Sequence, residues 1–301
     1  MTISQSPETV RGYLSALRLA LKDAPRGLIA DALADCEEHL NNEIAQNPEL
    51  DEAAIMASVI ETYGSPAEIA EEYRDMEASI STPFPKQLPE TTFNQGGGFF
   101  NVVSDPQTYG ALLYMLLSLV TGIFYFTWTV LGISLTAGTS VLIIGIPLAL
   151  VFLMSFRMLS HVEGRIVESL LGVRMPRRLP VATTDERIWP QIKDALGDSR
   201  TWTSIAYMLL MLPLGVLYFS LSVIGLALSL GISGTCIYSL IANQGYVHVS
   251  GVPWLQHFLN TAPGLILLVL AGILMFFLVL HMARFVGRVH AKIAEGLLVR
   301  L

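Results

Sequence analysis

The chain has 301 residues, and its composition excludes an ordinary soluble globular protein. Hydrophobic residues make up 52% of it and charged residues only 14%, whereas soluble domains carry about 25% charged residues. The net charge of -7 combines 6 basic and 18 acidic residues up to position 105 with 12 basic and 7 acidic residues after it. The sequence therefore predicts an acidic soluble head followed by an apolar membrane body.

Residues 1–80 are predicted to form a small helical domain on the cytoplasmic side. Apolar side chains recur at helical spacing over residues 10–21, 29–44 and 55–60. The sequence Gly64-Ser65-Pro66 predicts that glycine ends one helix, that serine caps the next, and that proline takes its first position. A fourth helix is therefore expected after this step.

The second predicted helix of the head presents an acidic face. Asp35, His39 and Glu43 lie at positions i, i+4 and i+8, and Glu37 and Glu38 lie beside them. A solvated, ion-paired helix face accounts for this pattern, and a metal site lacks a fourth ligand. A docking surface for a basic partner is the better functional reading, so we predict all five residues as partner-binding and expect no metal or cofactor.

The head resembles the HAAS signalling domain over about its first 76 residues. The resemblance rests on the Pro25-Arg26 opening, the Asp-Cys-Glu-Glu-His box at 35–39 and the Gly-Ser-Pro step at 64–66. It implies that the head passes a signal to a cytoplasmic protein, with a PadR-like transcription regulator as the candidate partner and no direct binding of nucleic acid. Residues 81–98, rich in proline and glycine, are predicted to be a flexible linker.

The membrane body holds two long stretches without Asp, Glu, Lys or Arg, at 106–156 and 201–283. Each is long enough for two crossings, because about 20 apolar residues span the bilayer core. The four predicted spans lie at about 109–131, 139–156, 201–228 and 263–283. Lysine and arginine occur in the middle connection and in the tail but not in the other two connections. Both termini are therefore predicted to be cytoplasmic.

An internal repeat organises the membrane body. Residues 105–138 return at 198–231, shifted by 93 positions, and residues 145–168 return at 272–295, shifted by 127. The predicted units are repeat 1 (99–180) and repeat 2 (181–301), the latter with an outer-face insert at about 232–263. The predicted fold class is all-α, a small soluble helical domain plus a polytopic membrane helix bundle with four transmembrane helices in two parallel repeats.

This body resembles the four-helix sensor domain that bacteria attach to histidine kinases and to HAAS domains. The resemblance is carried by the segments 105–109 and 114–117, by the Gly145-Ile146-Pro147 step, and by Arg157 with the 164–172 tail. It covers nearly all of residues 105–301. It implies that the membrane part perceives an apolar ligand, an envelope stress or a partner protein.

Candidate sensing residues are the repeated tyrosines, the proline of the second span and the aromatic and histidine residues of the insert. The predicted ligand-sensing residues are Tyr114, Tyr125, Tyr207, Tyr218, Pro147, His248, Trp254 and His257. Ordinary helix plasticity and an interfacial aromatic belt account for the same residues. Arg157 and Arg284 leave the membrane at matching positions of the two repeats and are predicted to anchor it at the headgroups.

The function expected from these features is non-enzymatic signalling in the bacterial inner membrane, in contact with lipids. No phosphate-binding loop, kinase box, zinc-protease motif or nucleophile elbow occurs in the sequence. The alternative is a lipid or small-lipophile carrier, or an accessory subunit of an exporter. The predicted spans lack charged residues, which disfavours an ion-coupled transporter. Assembly into a homo-oligomer stays open.

Overall fold

The computed structural model describes residues 7–79, 99–139, 145–177, 197, 199–242 and 253–299. All regular structure in this part of the chain is helical, which confirms the predicted all-α class. The elements are α1 (Val10–Ala20), α2 (Arg26–Gln46), α3 (Glu52–Thr62), α4 (Pro66–Ser79), a 3-10 helix (Phe99–Val103), α5 (Pro106–Thr139), α6 (Gly145–Leu171), α7 (Ser199–Ala242), α8 (Pro253–Leu259) and α9 (Ala262–Leu298).

The chain divides into two compact units. The first combines Met1–Phe93, Leu150–Ser204 and Ile293–Leu301, and the second combines Asn94–Ala149 and Ile205–Lys292. The first unit therefore holds the head together with most of α6 and the segment that follows it. The second holds α5 and most of α7 and α9.

The head packs its four helices around one apolar core. Tyr13 and Leu17 of α1 and its C-cap residue Leu21 lie with Cys36 and Leu40 of α2 in this core, together with side chains of α3 and α4. Burying such a side chain contributes roughly 1.5–3 kcal/mol. Burial also raises the pKa of the Cys36 thiol to about 11, so Cys36 acts as a neutral core residue.

The turn between α3 and α4 forms as predicted. Gly64 has a φ of 117°, which favours glycine, and its carbonyl accepts a hydrogen bond from the Tyr13 hydroxyl at 2.9 Å. The Ser65 N–H and hydroxyl both donate to Glu68 Oε2 at 2.8 Å, which forms a capping box at the start of α4. These two bonds, the backbone one first, lower the pKa of the Glu68 carboxyl.

Three of the described helices are long and apolar enough to cross a membrane: α5, the Thr201–Ala242 part of α7, and α9. All three are longer than the predicted spans, since α5 continues past Leu131, α7 past Leu228 and α9 past Ala283. None of the three extensions contains a proline, which would end or kink the helix. The predicted second span, 139–156, includes residues 140–144, which lie outside the described part, so the count of four spans stays a prediction.

Glycines allow α5 and α7 to approach closely. A methyl group on Gly122 would lie 2.5 Å from the Met211 carbonyl oxygen, and one on Gly215 would overlap the Ser118 carbonyl oxygen. Met211 is the repeat equivalent of Ser118 at the 93-residue shift, as Gly215 is of Gly122. Such reciprocity is typical of elements related by a two-fold axis and agrees with the predicted repeat.

Two short elements flank the long helices of the second unit. In the 3-10 helix, the Phe99 ring stacks on His281 of α9 with centroids 4.7 Å apart. In the predicted insert at 232–263, residues 232–242 continue α7, and α8 begins at Pro253. The remainder of the insert, 243–252, lies outside the described residues.

Candidate functional site

A short segment after α6 lies against the head, and we call residues 172–177 the docking segment. Gly172 ends α6 with a φ of 73°, and its N–H donates to the Glu168 carbonyl at 3.1 Å. The residues that follow form no helix and contact α2 and α4 of the head. The end of α6 thus delivers an irregular stretch of chain to the soluble domain.

Arg174 of the docking segment is held between two carboxylates of the head. Its Nη2 lies 2.8 Å from Asp31 Oδ2, on α2, and its Nε lies 3.1 Å from Glu77 Oε2, on α4. The three side chains are only 8–10% exposed. Charge-assisted bonds of this kind are among the stronger ones in proteins, and a planar guanidinium suits two acceptors.

Arg177 completes this cluster from the other end of the docking segment. Its backbone N–H donates to both carboxylate oxygens of Asp31, at 2.9 and 3.0 Å. Its guanidinium contacts Glu168 at 2.8 Å and Glu77 at 3.8 Å. Asp31 therefore accepts hydrogen bonds from both a side chain and the backbone of the docking segment. The contact depends on the conformation of the segment as well as on its charge.

A glycine of the head fits the backbone of the docking segment. Gly27 lies one helical turn before Asp31 on α2, and a methyl group there would lie 2.6 Å from the Arg174 carbonyl oxygen. The next residue, Met175, is completely buried, and its Cβ lies 3.5 Å from the position of a methyl group on Gly164 of α6. The close packing at Gly27 and the ion pairs of Arg174 therefore favour the same position of the docking segment on the head.

The predicted partner-binding face of α2 is not one continuous exposed patch. Asp35 accepts a 2.5 Å hydrogen bond from the Tyr73 hydroxyl, and the His39 ring stacks on Tyr63 with centroids 4.4 Å apart. Glu37 and Glu38 are exposed, whereas Glu43 is half-buried. Within the described ranges, no three His, Cys, Asp or Glu side chains lie close enough to hold a metal ion.

The carboxylates that contact the docking segment, Asp31 and Glu77, are not among the five predicted partner-binding residues. The sequence feature that points to Asp31 is the helical spacing, because Asp31 lies four residues before Asp35 on the same face of α2.

A second cluster of polar side chains is buried among α5, α7 and α9 in the other unit. His290 Nε2 lies 2.5 Å from the Tyr114 hydroxyl and 2.9 Å from the Tyr207 hydroxyl. The Tyr218 ring meets the imidazole edge-on, with centroids 5.6 Å apart. Three of the four predicted sensing tyrosines are thus brought together, while Tyr125 packs beside Phe124.

The remaining sequence candidates lie elsewhere. Pro147 is exposed in the first turn of α6, Trp254 and His257 are exposed on α8, and His248 lies outside the described residues. A proline that sequence analysis did not single out, Pro213, lies inside α7, where it removes one backbone donor.

The two arginines predicted to anchor the membrane differ in their surroundings. Arg157 is half-buried in α6. Arg284 pairs with Asp105, and Asp105 also accepts a 3.1 Å bond from the Gln107 N–H at the start of α5. Arg284 therefore ties α9 to the beginning of α5, and anchoring by both arginines stays a prediction.

Comparison with known families gives a match for each part of the chain. The family model described as Putative sensor matches residues 99–298, and the model for HAAS matches residues 12–72. Both resemblances noted in the sequence are thereby confirmed, and neither family is one of enzymes. No curated protein and no solved structure matches the chain.

Proposed function

The chain belongs to the Putative sensor family, and we propose that it is a non-enzymatic sensor in which the docking segment holds the HAAS head until a signal releases it. The observation that carries the proposal is the burial of Arg174 between Asp31 and Glu77. This contact joins the family-matched head to the segment that leaves a helix of the membrane-protein part. A change in α6 would therefore act directly on the head.

Buried ion pairs suit an interface that opens and closes. The attraction between such charges is largely offset by the cost of removing them from water, so the pair specifies geometry more than it adds stability. When the head leaves, all these charges return to water together, and the docked and released states differ by little. A signal that contributes a small free energy can then shift the population from the docked state of the head to the released state.

The proposed site of action is the bacterial cytoplasmic membrane, with both termini in the cytoplasm and an apolar ligand or envelope stress as the stimulus. The Lys and Arg bias of the connections supports this orientation. A released head would bind a cytoplasmic regulator, with a PadR-like transcription regulator as the candidate. The buried His290 cluster supports a sensing role for the membrane part, because buried polar clusters among membrane helices are usually functional.

The proposal is tested by releasing the head on purpose. In the double variant Arg174→Ala/Arg177→Ala, expression profiling of the host bacterium should show a small set of genes that change in the absence of a stimulus. The matched control removes two exposed arginines of α1, Arg11→Ala/Arg18→Ala, and should leave the profile unchanged. An unchanged profile in the release variant, with normal membrane levels, contradicts the proposal. Lipid movement in liposomes by a headless chain would favour the carrier alternative.

A further inference from the structure

The groove of the head that holds the docking segment has the features of a peptide-binding site, and we infer that the partner of the head occupies this same groove with an extended Arg-x-x-Arg segment. This inference rests on the proposed function, since it requires that the head leaves the docking segment. It assigns the partner site to Gly27, Asp31 and Glu77 instead of the exposed Glu37 and Glu38.

The groove recognises three features of its occupant. Asp31 and Glu77 bind one guanidinium from two sides, at 2.8 and 3.1 Å. Three residues later, Asp31 also binds a backbone N–H at 2.9 Å, which requires an occupant whose chain is not helical. Gly27 leaves room only for a backbone that passes directly over α2. Together these features select an irregular arginine-containing segment over a basic helix.

The chemistry of the emptied groove favours capture of a similar segment. Asp31 and Glu77 are about 90% buried when the segment is bound, and they lose a guanidinium when it leaves. A partner segment that places a guanidinium and a backbone N–H at the same positions can form the same bonds without a change in the shape of the groove. The originally predicted face is less suited, because Asp35 and His39 already contact Tyr73 and Tyr63 within the head.

Occupation by the docking segment then sets the affinity for the partner. An attached segment competes at an effective concentration of the order of millimolar, and apparent affinity falls in proportion to the fraction of empty grooves. The intact chain should therefore bind a free segment at least about 10-fold more weakly than a chain whose own segment cannot bind. Binding of the partner and docking of the head exclude each other.

The test uses the full chain in lipid nanodiscs and a fluorescent peptide with the sequence of residues 171–177, Leu-Gly-Val-Arg-Met-Pro-Arg. The Arg174→Ala/Arg177→Ala chain should bind it at least about 10-fold more tightly than the unchanged chain does. A scrambled peptide of equal charge should bind neither chain detectably. If the double variant loses its helical circular dichroism, Arg174→Lys serves as the receptor, because a lysine cannot bridge both carboxylates in the same way.

Variants of the groove decide whether the peptide binds where we infer. Adding Gly27→Ala or Asp31→Asn to the receptor should abolish binding, whereas adding Glu38→Gln should leave it unchanged. Equal binding of the scrambled peptide, or binding that survives Gly27→Ala, overturns the inference.

Gly27→Ala in the otherwise unchanged chain separates this inference from the proposed function. The added methyl group both releases the docking segment and blocks the groove. We expect Gly27→Ala to leave the expression profile unchanged, while Arg174→Ala/Arg177→Ala changes it. If both variants change the profile, release of the head is supported and the groove is not the partner site. If neither variant changes it, the proposal that release of the head carries the signal is wrong.

Discussion

The contact of the head with the docking segment and the crossing of α5 with α7 both use a glycine against a backbone, but only the first contains buried ion pairs. Arg174 and its two carboxylates hold the first, and water can replace every one of those bonds. Gly122 and Gly215 allow the second, where the backbones of the two helices meet directly. Under the proposed function, the ion-paired interface is the one that opens, and the crossing of α5 with α7 is the fixed frame.

The largest expected effect is the loss of the docked state in Asp31→Ala. This change leaves Arg174 without one of its two carboxylates and removes the acceptor of the Arg177 N–H. Removing one partner of a buried ion pair costs about 3–5 kcal/mol. Hydrogen–deuterium exchange should rise in residues 172–177 and in the first turns of α2.

The matched control for that change is Glu37→Ala, which removes an exposed carboxylate from the same helix. Its exchange pattern should equal that of the unchanged chain. If Asp31→Ala also exchanges like the unchanged chain, the ion pairs do not hold the head.

A smaller effect, on the fixed frame, is expected when a methyl group is added at the crossing. Gly122→Ala and Gly215→Ala each place carbon against a backbone carbonyl of the other helix. Overpacking of this kind costs about 1–3 kcal/mol, and thermal unfolding in detergent should show lower midpoints.

The repeat provides controls at Gly138 and Gly231, which have nothing within 4 Å of an added methyl group. Alanine there should be neutral or slightly stabilising, since it favours the helix by roughly 0.5–1 kcal/mol over glycine. An equal change in midpoint at all four positions, of either sign, would mean that close packing does not govern Gly122 and Gly215.

The Tyr114→Phe variant tests the buried polar cluster of the frame. It removes one of the two hydroxyls on His290 Nε2 and should lower stability by about 1 kcal/mol. Tyr109→Phe removes a hydroxyl from an exposed tyrosine of the same helix and should have no measurable effect. A cluster that contributes nothing would give the same unfolding midpoint for both variants.

The smallest effect concerns the capping box of the head. Ionised Glu68 is stabilised by Ser65, and its lowered pKa means that this stability is present above the unfolded-state pKa and is lost as pH falls through the folded one. Ser65→Ala should therefore lower the melting temperature of the head at pH 7, with a smaller difference at pH 3. A difference that grows toward low pH contradicts this assignment.

Local patterns in the sequence were sufficient for the elements but not for their long-range partners. The Gly64-Ser65-Pro66 step predicted its turn correctly because its determinants lie within five residues of one another. Arg174 instead pairs with Asp31 and Glu77, which lie 143 and 97 positions away in the chain. In the sequence alone, Arg174 counts only as one of the positive charges that predict a cytoplasmic connection.

His290 was missed for a related reason. The first arginine after the apolar stretch, Arg284, was taken as the end of the span, although arginine continues a helix readily. The repeated tyrosines at 114 and 207 are sensing candidates from the sequence, and only the tertiary structure brings them to one imidazole.

The most direct test of the account is a distance measurement by pulsed electron paramagnetic resonance in nanodiscs. Spin labels at Glu37→Cys on the head and Ser169→Cys on α6 occupy exposed positions, and the two native cysteines are buried. In the unchanged chain the distance distribution should be narrow, and in Arg174→Ala/Arg177→Ala it should become broad. A distribution that stays narrow in the double variant would contradict the claim that these arginines hold the head.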